Sequence, residues 1–199
     1  MSGLREHKKR ATREALSWAA LRLAVERGVE NVLVEDIAAA AEVSPRTFNN
    51  YFASKYEAIV WRELDRMTQI GDLLRARPQD EPLWDAITHA VLAVYGGDHA
   101  DSIPDRSWLD GVRLLVGSPG LVGEFLKADS AMERVLAGAI ADRIGAAPAD
   151  MFPRVTAAAV TAAASVAQQQ WIDSEPPVPL GPLIRTALRH LTELDRGVP

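Results

Sequence analysis

The chain has 199 residues, 48% of them hydrophobic, and a formal net charge of -5. That is enough apolar material to bury a core in one large domain or two modest ones, and the wrong overall sign for a protein that coats nucleic acid indiscriminately. There is no cysteine, which excludes a disulfide framework, a thiolate zinc site and a cysteine nucleophile. No apolar run follows the N-terminus and none elsewhere reaches the length of a membrane span, so a cytoplasmic protein without a membrane partner is expected.

The charge is uneven. Residues 1–55 carry nine Lys/Arg against seven Asp/Glu, a net of +2, leaving -7 for the remainder. The first thirteen residues hold five bases and one acid.

Helical patterns dominate, and neither a convincing strand nor an internal repeat interrupts them. From Thr12 to Arg27, Leu16, Ala19, Ala20, Leu23 and Ala24 recur at the three-and-four spacing of one helix face, and Gly28 supplies a C-cap. The basic stretch Arg5 to Arg13 is a tail ahead of that helix, able to reach DNA or merely to solubilise. Val34 to Ala41 forms a short second helix with Glu35 and Asp36 in its first turn, where carboxylates favour the helix dipole. Ser44-Pro45 reads as an N-cap followed by proline at the first helical position, so a third helix runs from there to about Tyr51. Ser54 caps a fourth, long helix with Val60, Leu64, Met67 and Leu74 on one stripe, closed by Pro78. Further helices are expected at about 82–95, 106–116, 119–144, 150–172 and 180–195, separated by breaks such as Gly96-Gly97-Asp98 and Pro176-Pro177.

Two short helices joined by the tight turn Glu42-Val43-Ser44 have the layout in which the second enters a major groove while the first braces it. In that second helix Phe48 and Phe52 lie four apart and face the core against Ile37 and Val43. Arg46, Thr47, Asn49, Asn50 and Tyr51 are left for solvent or DNA. Arg pairs with guanine edges, Asn with adenine edges, and Thr with a thymine methyl or a phosphate, whereas Tyr hydroxyls and Lys ammoniums, here Lys55, mostly hold phosphates.

Residues 12–55 closely resemble the N-terminal domain of the TetR family of transcriptional repressors. The resemblance is carried by Ala19-Ala20-Leu21-Arg22-Leu23 ending at Gly28, by Val34-Glu35-Asp36-Ile37-Ala38, by Val43-Ser44-Pro45-Arg46-Thr47-Phe48 and by Tyr51-Phe52-Ala53-Ser54-Lys55. It implies an all-α protein: a three-helix helix-turn-helix domain over residues 1–55 and a larger helical ligand-binding and dimerisation domain over 56–199. It also implies that Arg46, Thr47, Asn49 and Asn50 meet bases and nearby phosphates, and that Tyr51 and Lys55 anchor phosphates. Two positions depart from the family. Leu33 stands where a capping Thr is usual, so helix two must be capped differently or fray. Glu42 stands where Gly is usual, in a turn where left-handed backbone costs a side chain on the order of 1 kcal/mol.

In the C-terminal part, the last helix carries Leu183, Ile184, Ala187, Leu188, Leu191 and Leu194 on one stripe, and the helix before it is alanine-dense. Together they predict a homodimer through a four-helix bundle. The candidate ligand-binding residues are Trp61, Leu64, Met67, Trp84, Trp108, Arg113, Phe125, Met132, Gln168 and Trp171, with Val160, His89 and Gln169 as further apolar or polar contributors. This set suits a large lipophilic effector, and similarity to the family members with an acyl-CoA-like ligand domain points the same way. The leading expectation is a dimeric repressor on a pseudo-palindromic operator. A helical carrier that has kept the domain without binding DNA competes with it. An enzyme does not: His7, His89, His99 and His190 are far apart, no phosphate loop or metal-spaced triplet occurs, and no cofactor is implied.

Overall fold

The computed structural model describes residues 2–95 and 103–193, with side chains from His7 onward. Within them the chain is all-α: α1 (Ser2–Arg27), a 3-10 turn (Val29–Asn31), α2 (Val34–Ala40), α3 (Pro45–Asn49), α4 (Lys55–Ala76), α5 (Leu83–Tyr95), α6 (Arg106–Val116), α7 (Pro119–Ile144), α8 (Met151–Asp173) and α9 (Leu180–Glu193). The expected break at Gly96-Gly97-Asp98, His99 and Leu194 lie outside the described residues.

The residues form two compact units, one taking the chain up to Leu64 together with Ser107–Ala128, the other taking Asp65–Arg106 and the chain from Asp129 onward. The core of the first is built from Leu16, Ala20 and Leu23 of α1, Ile37 and Ala38 of α2, Phe48 and Phe52, and Ala58 to Val60 of α4, with Leu115 and Leu121 added from α6 and α7. Two glycines let those later helices approach closely. A Cβ on Gly111 would lie 2.6 Å from the Val25 carbonyl oxygen, and one on Gly120 would lie 2.6 Å from the Tyr56 ring. Inside the unit, the fully buried Ser17 donates its hydroxyl proton to the Ala58 carbonyl at 2.6 Å, which satisfies a polar group on the α1–α4 contact.

One expectation is corrected here. The basic stretch before Thr12 is the beginning of α1, which starts ten residues earlier than the apolar pattern indicates. No proline interrupts it, Arg10 and Glu14 pair at 3.0 Å across one turn, and the Thr12 hydroxyl bonds back to the Lys8 carbonyl at 3.0 Å, a mid-helix arrangement rather than a cap. The third helix, by contrast, is shorter than expected, ending at Asn49 with Asn50 as its C-cap.

In the second unit Met67, Ile70 and Leu74 of α4 are buried with Ile87 and Val91 of α5, Leu136 and Ile140 of α7, Val160 of α8 and Ile184 and Leu188 of α9. α9 packs on α8 and α5. Arg143 of α7 secures the α4–α5 connection by donating to the carbonyls of Arg77, Pro78 and Glu81 at 3.2, 2.5 and 2.6 Å.

Candidate nucleic-acid interface

The turn between α2 and α3 is a Schellman closure. The Val43 amide donates to the Ala38 carbonyl at 2.9 Å and the Glu42 amide to that of Ala39 at 3.1 Å, which requires a left-handed residue between them. That residue is Glu42, at φ 56°. A side chain thus sits in the conformation glycine takes without cost. At the other end of α2, Leu33 offers no capping oxygen; instead its amide donates to the Asp36 carboxylate at 3.0 Å, which replaces half of a capping box from the N3 position.

α3 begins with a complete N-cap, since Ser44 Oγ accepts the Thr47 amide at 3.1 Å with Pro45 at the first helical position. Phe48 is 0% exposed and Phe52 2%, their rings 5.8 Å apart, and burying such side chains contributes about 1.5–3 kcal/mol each. With the apolar side of α3 fixed in this way, Arg46, Asn49 and Asn50 are turned to solvent. Thr47 is half-buried with its hydroxyl 2.9 Å from Ser44 Oγ, so it is held to the cap. Tyr51 is half-buried too and packs against the core edge.

Lys55 and Tyr56 tie the start of α4 to the 3-10 turn. The Lys55 ammonium donates to the Val32 carbonyl at 3.0 Å and that of Glu30 at 3.5 Å. The Tyr56 hydroxyl meets both Glu30 carboxylate oxygens at 3.2 Å. Burial, and then the Glu30 carboxylate, push the Tyr56 pKa up, so the hydroxyl remains a donor.

A residue of the basic stretch, Arg13, also supports the corner that follows α3. The Arg13 guanidinium lies over the Phe52 ring at 5.0 Å and the Trp61 ring at 5.2 Å, and reaches Glu57 at 4.0 Å. Glu57 in turn accepts the Ala53 amide at 2.7 Å, so this cation braces the corner between α3 and α4. Its signal was an arginine three residues before Leu16, on the continuation of an apolar face.

The ten candidate ligand-binding residues are distributed over both units. Trp61, Leu64, Trp108, Arg113 and Phe125 belong to the first. There Trp61 and Phe125 pack against the helix-turn-helix core, Trp108 lies 6.1 Å from the Trp18 ring, and Arg113 pairs with Asp110 at 3.0 Å. Met67, Trp84, Met132, Gln168 and Trp171 belong to the second, where both methionines are buried. Gln168 donates its amide to the Tyr95 hydroxyl at 3.0 Å, and the Trp171 indole N–H is enclosed without an acceptor among the described residues.

Residues 18–58 match the family model described as bacterial regulatory proteins, tetR family. Residues 81–195 match the one described as the MftR C-terminal domain. The chain is 36% identical over 177 residues to the HTH-type transcriptional regulator TcmR of Streptomyces glaucescens, covering 85% of this chain and 76% of that one. Its fold is similar to the crystal structure of a TetR-family transcriptional regulator of Syntrophomonas wolfei, at 18% identity with a TM-score of 0.65 over 96% of this chain and 98% of that one. It is also similar to Thermus thermophilus FadR, a TetR-family repressor solved in complex with lauroyl-CoA, at 20% identity with a TM-score of 0.55 over 91% and 93% of the two chains.

Proposed function

Since the chain belongs to the TetR family of bacterial regulatory proteins, DNA-binding transcriptional regulators of repressor type rather than enzymes, we propose that it acts as a dimeric, ligand-released repressor in the cytoplasm. Among the described residues no helix is long and apolar enough to cross a membrane. The observation that carries the DNA reading is the two-faced α3: Phe48 is fully enclosed, while Arg46, Asn49 and Asn50 stand in solvent on a helix capped at Ser44. Guanidinium and carboxamide groups are the side chains that read guanine and adenine edges bidentately. Lys55 holds a phosphate with the donor its two carbonyl bonds leave over, and Thr47 and Tyr51 support the same strand.

Dimerisation is supported by α8. Phe152, Val155, Ala159, Ala162 and Val166 follow one another at spacings of three and four, and Phe152, Val155 and Val166 are 55%, 60% and 65% exposed. A stripe of that kind is covered by a second copy in a four-helix arrangement with α9. Two recognition helices then meet half-sites about one DNA turn, roughly 34–36 Å, apart. The effector is lipophilic, fatty-acyl-like in the manner of the lauroyl-CoA held by the Thermus protein. Trp171 and Gln168, one turn apart on α8, serve as its polar handles, and ligand lowers DNA affinity to the extent that it prefers a conformation with another helix spacing.

The test is to map protected DNA around the gene and titrate Asn50→Ala against the protected duplex and a scrambled one. A loss of about 1–3 kcal/mol on the operator with no change on the scrambled duplex is expected. Equal losses on both would contradict base readout. A wild-type protein that protects no fragment even in dilute buffer would end the regulator reading and leave the carrier.

A further inference from the structure

The basic stretch that opens the chain is helical, and this changes what it can do. His7, Lys8, Lys9, Arg10 and Ala11 are all exposed, whereas Thr12 and Arg13 are half-buried and Leu16 is completely so. Positions 8 and 9 lie one turn before 12 and 13 on the same side of the helix. The inward face of α1 therefore passes from Leu16 in the core, to Arg13 over the Phe52 and Trp61 rings, to Lys8 and Lys9 past the edge of the domain. Unlike Arg10, which Glu14 engages, Lys8 and Lys9 have no carboxylate partner for their ammoniums among the described residues. Their backbone stands only about 6–7.5 Å along the helix axis from Arg13, and Arg13 touches Phe52, three residues beyond the end of α3.

Resting on the DNA reading above, we propose that Lys8 and Lys9 form a phosphate clamp, gripping the backbone of a duplex that α3 has entered. A helix fixed at its root delivers both charges at a set place with little ordering entropy left to lose, which a flexible tail cannot do. A lysine ammonium is a compact charge without arginine's planar fork and mostly holds phosphates rather than base edges. The clamp therefore adds affinity without sequence preference.

The test is a salt titration of binding to the duplex flanking the protein's own reading frame, alongside a scrambled duplex of the same length and composition. Lys8→Gln/Lys9→Gln is compared with the wild type and with Lys8→Arg/Lys9→Arg. For the Gln pair, the slope of log affinity against log salt should fall by about two per bound protomer, one per lost contact, equally on both duplexes. The Arg pair should keep the wild-type slope. If the wild type binds and the Gln pair keeps its full slope, or loses affinity on the specific duplex only, the clamp is overturned while the DNA reading stands. If the wild type shows no salt-dependent binding at all, both fall.

Discussion

At the scale of single residues, two side chains occupy positions with a measurable cost or pH response. Glu42 holds a left-handed φ of 56° at the end of α2. Glu42→Gly should stabilise the fold by up to about 1 kcal/mol in denaturant titration, because glycine takes that backbone without steric penalty. The same change removes an acid next to the recognition helix, so affinity for every duplex should rise. Glu81 is the second. The Arg77 hydrogen bond outweighs the opposing effect of burial and, with a further bond from His89, holds the Glu81 carboxyl at about 2 against an ordinary 4.5. A depressed carboxylate contributes stability that is fully present above its unfolded pKa and is lost as pH falls through the folded one. Glu81→Gln should therefore melt below the wild type at neutral pH, with the gap between the two curves closing between about pH 4.5 and pH 2.

At the scale of elements, close approach makes its own demand. Gly120→Ala would drive a Cβ into the Tyr56 ring, and the denaturant midpoint should drop by the equivalent of about 1–3 kcal/mol. Most helices were legible in the chain because each is bounded by a local device. Ser44-Pro45 fixes the start of α3, Gly28 at φ 79° the end of α1, and the prolines and glycines after Val116 and Ile144 the limits of α7. The start of α1 was not legible: apolar periodicity ends where packing ends, whereas a helix of charged residues continues on backbone hydrogen bonds and pairs such as Arg10 with Glu14. The exposed face of α3 was readable for the same local reason, since burying Phe48 and Phe52 exposes Arg46, Asn49 and Asn50. The division of the ligand candidates between the two units was not. An aromatic at helical spacing looks alike in any core, and only the fold shows that Trp61 and Phe125 pack against the core that also encloses Phe48 and Phe52. The role of Arg13 has no local signature, because its partners, Phe52 and Trp61, are distant in sequence.

At the scale of the whole molecule, the helices after α5 do not all serve one unit. α6 and the beginning of α7 contribute Leu115 and Leu121 to the core that carries α3, while the rest of α7 belongs with α8 and α9. If α8 is the pairing face, Val155→Glu/Val166→Glu should convert a dimer into a monomer in sedimentation and abolish cooperative operator binding. Both side chains are exposed in the single chain, so its circular dichroism should be unchanged; a persistent dimer would move the interface elsewhere. The pairing of Trp18 on α1 with Trp108 on α6, under the Arg62 guanidinium at 4.7 Å from the Trp18 ring, has a practical corollary. Two indoles this near one another couple their transitions, so the circular dichroism of the unlabelled protein in the indole bands reports any separation of α6 from α1 as an effector is titrated in, and Trp108→Phe identifies the part of the signal that belongs to that contact.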